Sequence, residues 1–344
     1  MSVKTKLKKT LIHSLTTPPL SDIASRTFGC GVPIFILHRF ESDSCADTSP
    51  SHLRHCLQYF SENGHTFISL EKLITSLKNN EPLPEKSVVF TIDDGFADQL
   101  EVAAPIFLEF NCPATIFLIT GMLDGELWPW DDKVSYLINS TRKQSINFTL
   151  ANEQTKLQLN SQSAKRSATR IIRNTIKMQA AENVYDTLNW LEKATEISLP
   201  SSPPNSFRPM TWDMAREYES KGIHFAPHTV SHRILSKLDA DNAESEITAS
   251  WNRIKAELKS PSPIFSYPTG RYCDYSPREI GIIKKAGLIG AVSTYPAQVD
   301  ITKKSDKYLY QLPRLNFPSS LEELAHDSSW LGYTRNRLDP MIYG

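Results

Sequence analysis

Short apolar runs separated by helical stripes dominate the chain from residue 33 onward. PIFILHRF (33–40), HTFISL (65–70), SVVFTID (87–93), ATIFLIT (114–120), GIHFAPH (222–228), PIFSYP (263–268) and LIGAVST (288–294) each have the length and residue types of a strand. Several are apolar on both faces, as in a parallel sheet covered on two sides. Between them lie stripes at helical spacing, such as Leu100, Ala103, Ala104, Phe107 and Leu108, and Ile247, Trp251, Ile254 and Leu258. This alternation predicts an α/β fold of βα units, a distorted (β/α)7-type barrel whose chemistry gathers where strands end.

One region breaks the rhythm. INFTLANEQTKLQLN (146–160) alternates like a hairpin, and 164–197 read as one or two helices before the loop SLPSSPPNSFRP. The expected organisation is a helical or irregular extension over 1–30, a barrel over 31–320 carrying a small hairpin-plus-helix insertion at about 139–205, and a tail over 321–344.

Composition narrows the function classes. Lys plus Arg and Asp plus Glu both number 38, so no net field favours nucleic acid or an anionic membrane. The short basic run at Lys4, Lys6, Lys8 and Lys9 is followed by TLIHSLTTPPLSD, which is too polar and Pro-broken for a signal peptide. No apolar stretch is long enough for a transmembrane segment. The cysteines Cys30, Cys45, Cys56, Cys112 and Cys273 are scattered and odd in number, as in a reducing compartment, and a cytoplasmic address is expected.

Two strand ends carry the candidate chemistry. Asp93 and Asp94 close VVFTIDDGF, where adjacent carboxylates after an apolar strand need a cation or a shared proton, or else form an Asp-Gly turn with one carboxylate capping the next helix. His228 and His232, in APHTVSH, stand four apart and can face one ion. Their spacing arises readily by chance among nine histidines, and no Glu follows the first as in a zincin helix. Their placement after IHFA, matching the Asp pair after VVFT, gives them weight.

TIDDGF, then HTVSH, then FSYPTGRY, in that order, resembles the polysaccharide deacetylases of the NodB-homology type, carbohydrate esterase family 4, from about residue 36 to 317. MTWDMAREYESKG and LSKLD around the histidine motif are similar too. The resemblance implies that Asp94, His228 and His232 bind a divalent metal, most simply Zn2+, while Asp93 acts as general base. Water activated by the cation then attacks an acetamide, and the oxyanion is held by the metal and a backbone N–H near Thr269. Thr229 and Ser231 read as loop-shaping hydroxyls.

The chain departs from the family pattern at two places. Ser266 stands where the family usually carries the Arg that steadies the base, with Arg271 as a possible substitute. Leu312-Pro313-Arg314 stands where the family often has Leu-x-His, so Arg314 occupies the catalytic position of the acid although a guanidinium does not release its proton. His38, at the end of ILHRF, is the alternative proton donor, and His224 reads as a packed residue. Tyr267, Trp130 and Asp132 are the candidate substrate contacts, Trp130 and Asp132 lying in LWPWDD after the strand ATIFLIT.

The expected function is therefore removal of N-acetyl groups from an amino sugar in a glycan or glycan precursor, within surface polysaccharide biosynthesis. O-deacetylation or hydrolysis of a non-sugar amide at the same metal remains open. So does a glycan-binding protein that kept the fold and lost turnover, a reading motivated by Ser266 and Arg314.

Overall fold

In the computed structural model, residues 14–16, 20–40, 48–150, 153–178, 184–303 and 305–338 are described. The basic run at Lys4 to Lys9, Cys45, the hairpin turn at 151–152 and residues 339–344 lie outside them. The expected apolar runs form β1 (Ile34–Leu37), β2 (Thr66–Phe67), β3 (Ser87–Asp94), β4 (Ala114–Leu118), β7 (His224–Pro227), β8 (Ile264–Ser266) and β9 (Gly290–Val292). β5 (Ser145–Leu150) and β6 (Glu153–Gln158) form the antiparallel hairpin, and β10 (Leu315–Asn316) completes the set.

The central sheet is parallel in the order β10-β1-β3-β4-β7, with β2 against the start of β3. β8 and β9 pair in parallel beside it. The Ser262 N–H, just before β8, donates to the Phe225 carbonyl of β7 at 2.8 Å. Beyond β9, the Leu312 N–H donates to Ala291 at 3.0 Å and the Leu312 carbonyl accepts from Ser293 at 2.8 Å. The stretch 312–316 thus touches β9 at one end and β1 at the other.

Two strands differ from the sequence expectation. HTFISL contributes only two paired residues, because Ser69 turns the chain into helix Leu70–Asn79 by accepting from the Lys72 N–H. Leu315 and Asn316, which lie in none of the expected apolar runs, make a short strand whose pairing comes from position rather than from a long apolar run.

Side-chain alternation divides each strand between two faces. Ile34, Val89, Phe117, Ala226, Ile264, Val292 and Leu312 meet in one buried cluster on the inner face. Phe35, Phe90, Ile116, Phe225, Phe265 and Ala291 point the other way, into a cluster shared with the surrounding helices. Helix Pro50–Glu62 supplies Leu53, Leu57 and Phe60 to this outer layer, and helix Ala240–Glu257, capped by Asp239, supplies Ala243, Ile247, Trp251 and Ile254. Burial of each such large apolar side chain stabilises by about 1.5–3 kcal/mol, and Phe90→Ala would cost about 3–5 kcal/mol.

The same period of two places the chemistry. Val89 and Thr91 face inward, so Asp93 does also; Ala226 implies the same for His228, and Ile264 for Ser266. The expected stripe after Asp93-Asp94 forms a π-helical turn at Gln99–Ala103 that runs into helix Ala104–Glu109. That turn buries Gln99, whose amide donates to the carbonyls of His38 and Asp93 and accepts from the Gly95 N–H. A π-turn often marks a place where function outweighs regular packing.

Residues 130–195 pack as a unit of their own. Helix Trp130–Ser140, the hairpin, helix Gln162–Met178 and helix Val184–Thr195 bury Val134, Leu137, Ile138, Phe148, Leu157, Ile172, Ile176 and Leu191 together. Val134 and Leu137 belong to this cluster, so its packing begins several residues before the expected position 139.

Candidate metal centre and its cleft

The ends of β1, β3 and β7, the loop after β8 and the insertion helices open onto one cleft of about 680 Å³. His38, Asp93, Asp94, Asp132, His228, His232 and Thr269 all line it. Several of these positions have left-handed backbone: Asp94 (φ 88°), Thr229 (φ 68°), His232 (φ 57°) and Thr269 (φ 56°). Such angles are strained for residues with a Cβ and persist only where surrounding structure imposes them. Gly95 follows at φ 94°, and a Cβ there would lie 3.0 Å from both Leu118 and Leu123 side chains, so the turn requires glycine.

Asp94, His228 and His232 converge. Asp94 Oδ1 is 3.7 Å from His228 Nε2 and 3.8 Å from His232 Nε2, and one ligand atom from each lies within 4.8 Å of the others. The His228 Nδ1 is 2.8 Å from the Ser266 carbonyl, which fixes a donating N–H there and leaves Nε2 with its lone pair toward the cleft. His232 Nδ1 faces Asp131 Oδ1 at 3.7 Å, and neither atom has a hydrogen-bond partner among the described residues. Thr229 Oγ1 accepts from the His232 N–H at 2.9 Å, and Glu246 accepts from the Val230 and Ser231 N–H groups, both at 2.9 Å. The loop is therefore shaped by side-chain acceptors, Thr229 among them.

The electrostatics suit a cation. Burial alone would lower the His232 imidazole, but Asp131, Asp94 and Asp132 surround it and lift it to about 9. Burial pushes the Asp94 carboxyl up, and it pushes Asp132 well up beside the Asp131 charge. Deep burial drops His228 to about 3, so it is a neutral, lone-pair donor at ordinary pH. One carboxylate and two imidazoles, with excess acid nearby, form a donor set that fits a catalytic divalent ion with open positions.

Asp93 has a different environment. Its two oxygens accept from the Arg314 guanidinium at 2.7 and 2.8 Å, and Oδ2 also accepts from Ser266 Oγ at 3.2 Å. Arg314 is itself held by the Ser293 carbonyl (2.9 Å), Thr91 Oγ1 (3.2 Å) and Ser266 Oγ (3.0 Å). Burial would raise the Asp93 carboxyl, yet Arg314, with His228, holds it well below the usual carboxylate range. His228 Nε2 lies 3.8 Å from Asp93 Oδ2, so the ionised base candidate sits beside the ligand set.

These contacts revise three sequence expectations. Arg271 does not reach Asp93; it pairs with Asp274 at 2.8 Å, and Thr269 Oγ1 also donates to Asp274. Arg314 takes the steadying position instead, and Ser266 links the two, so both departures from the motif belong to one network. Tyr267 is not in the cleft: alternation after Ser266 turns it outward, where it stacks on Tyr275 at 3.9 Å and donates to the Tyr310 carbonyl. Trp130 packs against the insertion cluster and lines a neighbouring cavity, while Asp131 and Asp132 face the cleft. His224 is partly buried, consistent with a packed residue. Residues outside the sequence-based set also matter here: Gln99 clamps the Asp-Asp-Gly turn, and Asp98 fixes the ILHRF turn by accepting from Arg39 Nε (3.2 Å) and the Phe40 N–H (2.9 Å). The DGFADQ spacing after the strand was their only sequence signal.

Residues 80–289 match the family model described as polysaccharide deacetylase, and the chain belongs to that family. It is 36% identical over 86 residues to the poly-beta-1,6-N-acetyl-D-glucosamine N-deacetylase of Escherichia coli (strain K12), a match covering 25% of this chain and 12% of that protein. It is 25% identical over 88 residues to YxkH of Bacillus subtilis (strain 168), covering 26% of this chain and 32% of that protein. The matched region thus spans a third or less of these curated relatives. The fold is similar to that of the Streptococcus pyogenes deacetylase PplD in complex with acetate, with a TM-score of 0.57 and 19% identity over 87% of this chain and 98% of that one. IcaB from Ammonifex degensii has the same TM-score at 14% identity, over 88% and 98% of the two chains.

Proposed function

We propose that this protein is a metal-dependent hydrolase that removes N-acetyl groups from an amino sugar in a glycan or glycan precursor. The observation that carries this reading is the convergence of Asp94, His228 and His232 beside a carboxylate, Asp93, kept ionised by Arg314. Asp94, His228 and His232 would hold a divalent cation, Zn2+ being the first choice for an Asp-His-His set. When bound, the cation supplies Lewis acidity that makes water a nucleophile near neutral pH and polarises an acyl oxygen. Asp93 accepts the proton released by the attacking water, and the Arg314 network keeps its oxygens aimed without taking that proton. The backbone at Thr269, in the loop after β8, supplies an oxyanion donor. His38, on the cleft wall at the end of β1, delivers a proton to the departing amine, and Asp132 contacts substrate.

The fold reading accompanies it: the bonds from β7 through Ser262, β8, β9 and Leu312 back to β1 support a distorted (β/α)7-type barrel over 31–320, with an insertion at its mouth, an N-terminal extension and a C-terminal tail. The motive for a non-catalytic binding protein weakens, since Ser266 and Arg314 both hold Asp93. We assign the activity to surface polysaccharide biosynthesis in the cytoplasm; among the described residues no helix is long and apolar enough to cross a membrane.

The test is free-amine and acetate release from N-acetylhexosamine oligomers after loading with Zn2+, Co2+, Mn2+ or Ni2+. Turnover with at least one metal, falling about 100-fold or more in Asp93→Asn, is the expected result. Acetate release only from O-acetylated sugars would move the assignment to the ester, and no release from any of these would remove the catalytic reading.

A further inference from the structure

The cleft has a second wall whose charge the hydrolytic chemistry does not use. Helix Gln162–Met178 turns Ala168, Ile172 and Ile176 into the insertion cluster. Arg166, Arg170, Arg173 and Lys177 line the same cleft as the carboxylates and imidazoles. These four are spaced by four, three and four residues, so they stand on one face of the helix, spread over about 16 Å.

Charge accounting sets this wall apart from an ordinary solvated helix face. Arg173 is used structurally: it donates to the Asp131 carbonyl at 2.9 and 2.7 Å and to Ser135 Oγ at 2.7 Å, and lies 3.8 Å from Asp132. It thereby ties the helix to the residue facing His232. Arg166, Arg170 and Lys177 make no hydrogen bond or ion pair among the described residues. Like charges four apart repel, and here no carboxylate at helical spacing relieves them. Lys177 is half-buried, and that burial disfavours its charged form, with Arg271 and Arg173 adding repulsion and Asp131 opposing them. Among the cleft acids, Asp93 is paired with Arg314, Asp94 lies 3.7 and 3.8 Å from the two imidazoles, and Asp131 and Asp132 lie nearest His232 and Arg173, so none of the four pairs with Arg166, Arg170 or Lys177 among the described residues.

We propose that this wall selects an anionic glycan: an N-acetylated amino sugar whose chain carries phosphate or carboxylate groups, seated with the acetamide at Asp94, His228 and His232 and the anion on Arg166, Arg170 and Lys177. The guanidinium fork matches either anion by paired N–H donors. A neutral poly-N-acetylhexosamine suits the wall poorly, because each removed acetyl group leaves an ammonium that the arginines repel. This inference rests on the proposed deacetylase reading only for where the acetamide sits; the anion preference is measurable by binding alone.

The full-length chain is titrated, by calorimetry at low and at physiological salt, with three probes. These are a neutral N-acetylglucosamine tetramer, the same tetramer bearing a terminal phosphate, and a tetramer alternating N-acetylglucosamine with glucuronic acid. At least one anionic probe should bind about tenfold more tightly than the neutral one at low salt, with the advantage shrinking as salt rises. Arg166→Glu/Arg170→Glu should erase that advantage, and Arg166→Gln/Arg170→Gln should reduce it. Lys156→Glu, the same kind of charge reversal on the exposed hairpin outside the cleft, should retain it. Thermal melts of each variant check folding, and the Gln pair keeps the test open if the Glu pair unfolds.

Tighter binding of the phosphate or of the uronate probe identifies the anion, and either supports the proposal. Equal binding of all three, or an advantage that survives both arginine variants, overturns it. Anion-selective binding without acetate release from any probe would overturn the deacetylase reading and leave the wall's selectivity standing. Acetate release from the neutral tetramer with equal binding of all three would do the reverse.

Discussion

At the floor of the cleft Asp93, Ser266 and Arg314 are shut away from solvent and satisfy one another, whereas on helix Gln162–Met178 Arg166 and Arg170 stand exposed and make no ion pair among the described residues. The floor is made by strand ends, whose inward residues are set by the period of two and locked by the sheet's hydrogen bonds. The wall is made by an appended unit with its own apolar cluster, joined to the floor through Arg173 and Asp131. The contrast teaches a division of labour. Groups that must keep a fixed geometry sit on the sheet, and groups that need only complementary charge sit on the insertion.

The largest effect should come from cutting the floor's own pair. Arg314→Met leaves Asp93 buried without its counter-charge and should cost about 3–5 kcal/mol in chemical denaturation. Its acid limb should move as well. In the wild type the folded Asp93 titrates below its unfolded value of 3.8, so the pair's stabilisation is complete above that pH and is lost as pH falls through the folded pKa. With Arg314 gone, burial dominates and raises Asp93, so stability should begin to fall at a higher pH. An unshifted acid limb would mean that Arg314 is not what holds Asp93 ionised.

Next in size is a break inside the wall. Ile172 is fully buried in the insertion cluster, and Ile172→Ala should cost about 2–5 kcal/mol there while leaving divalent-cation affinity within about twofold. A comparable loss of cation binding in equilibrium dialysis would show that the two regions are not separable. The junction itself is tested by Asp131→Asn, which removes the charge facing His232 Nδ1 and should weaken cation binding by about 10- to 100-fold without a large change in unfolding. Smallest is a control away from both regions: Ser276→Ala breaks the capping box with Glu279 at helix Pro277–Lys285 and should cost about 1 kcal/mol, with no effect on cation or glycan binding.

The parts legible in the sequence were those set by local period. Asp94, His228 and His232 follow apolar strands, so their meeting at one end of a parallel sheet follows from chain direction. The helical stripe Ile247, Trp251, Ile254 and Leu258 is buried as spaced. Arg314 was not legible, because its partner is 221 residues away and only the lie of 312–316 between β9 and β1 brings them together. Tyr267 was legible in principle: Ile264 and Ser266 face inward, so Phe265 and Tyr267 face outward, and their rings lie 5.5 Å apart on the outer layer. Trp130 was harder, since it begins a helix and its direction depends on how the insertion docks. The strand β10 escaped notice because two residues carry no periodic signal.

The twisted turns at Asp94, Thr229, His232 and Thr269 bear on how this molecule can be re-engineered. At each, glycine would relieve the backbone, yet at Asp94 and His232 it would delete a donor of the candidate cation site, and at Thr229 the hydroxyl that props His232. Heat-hardening campaigns that harvest torsional relief therefore meet a barrier along this rim. Gains in melting temperature should be sought among the outer helices, away from this rim.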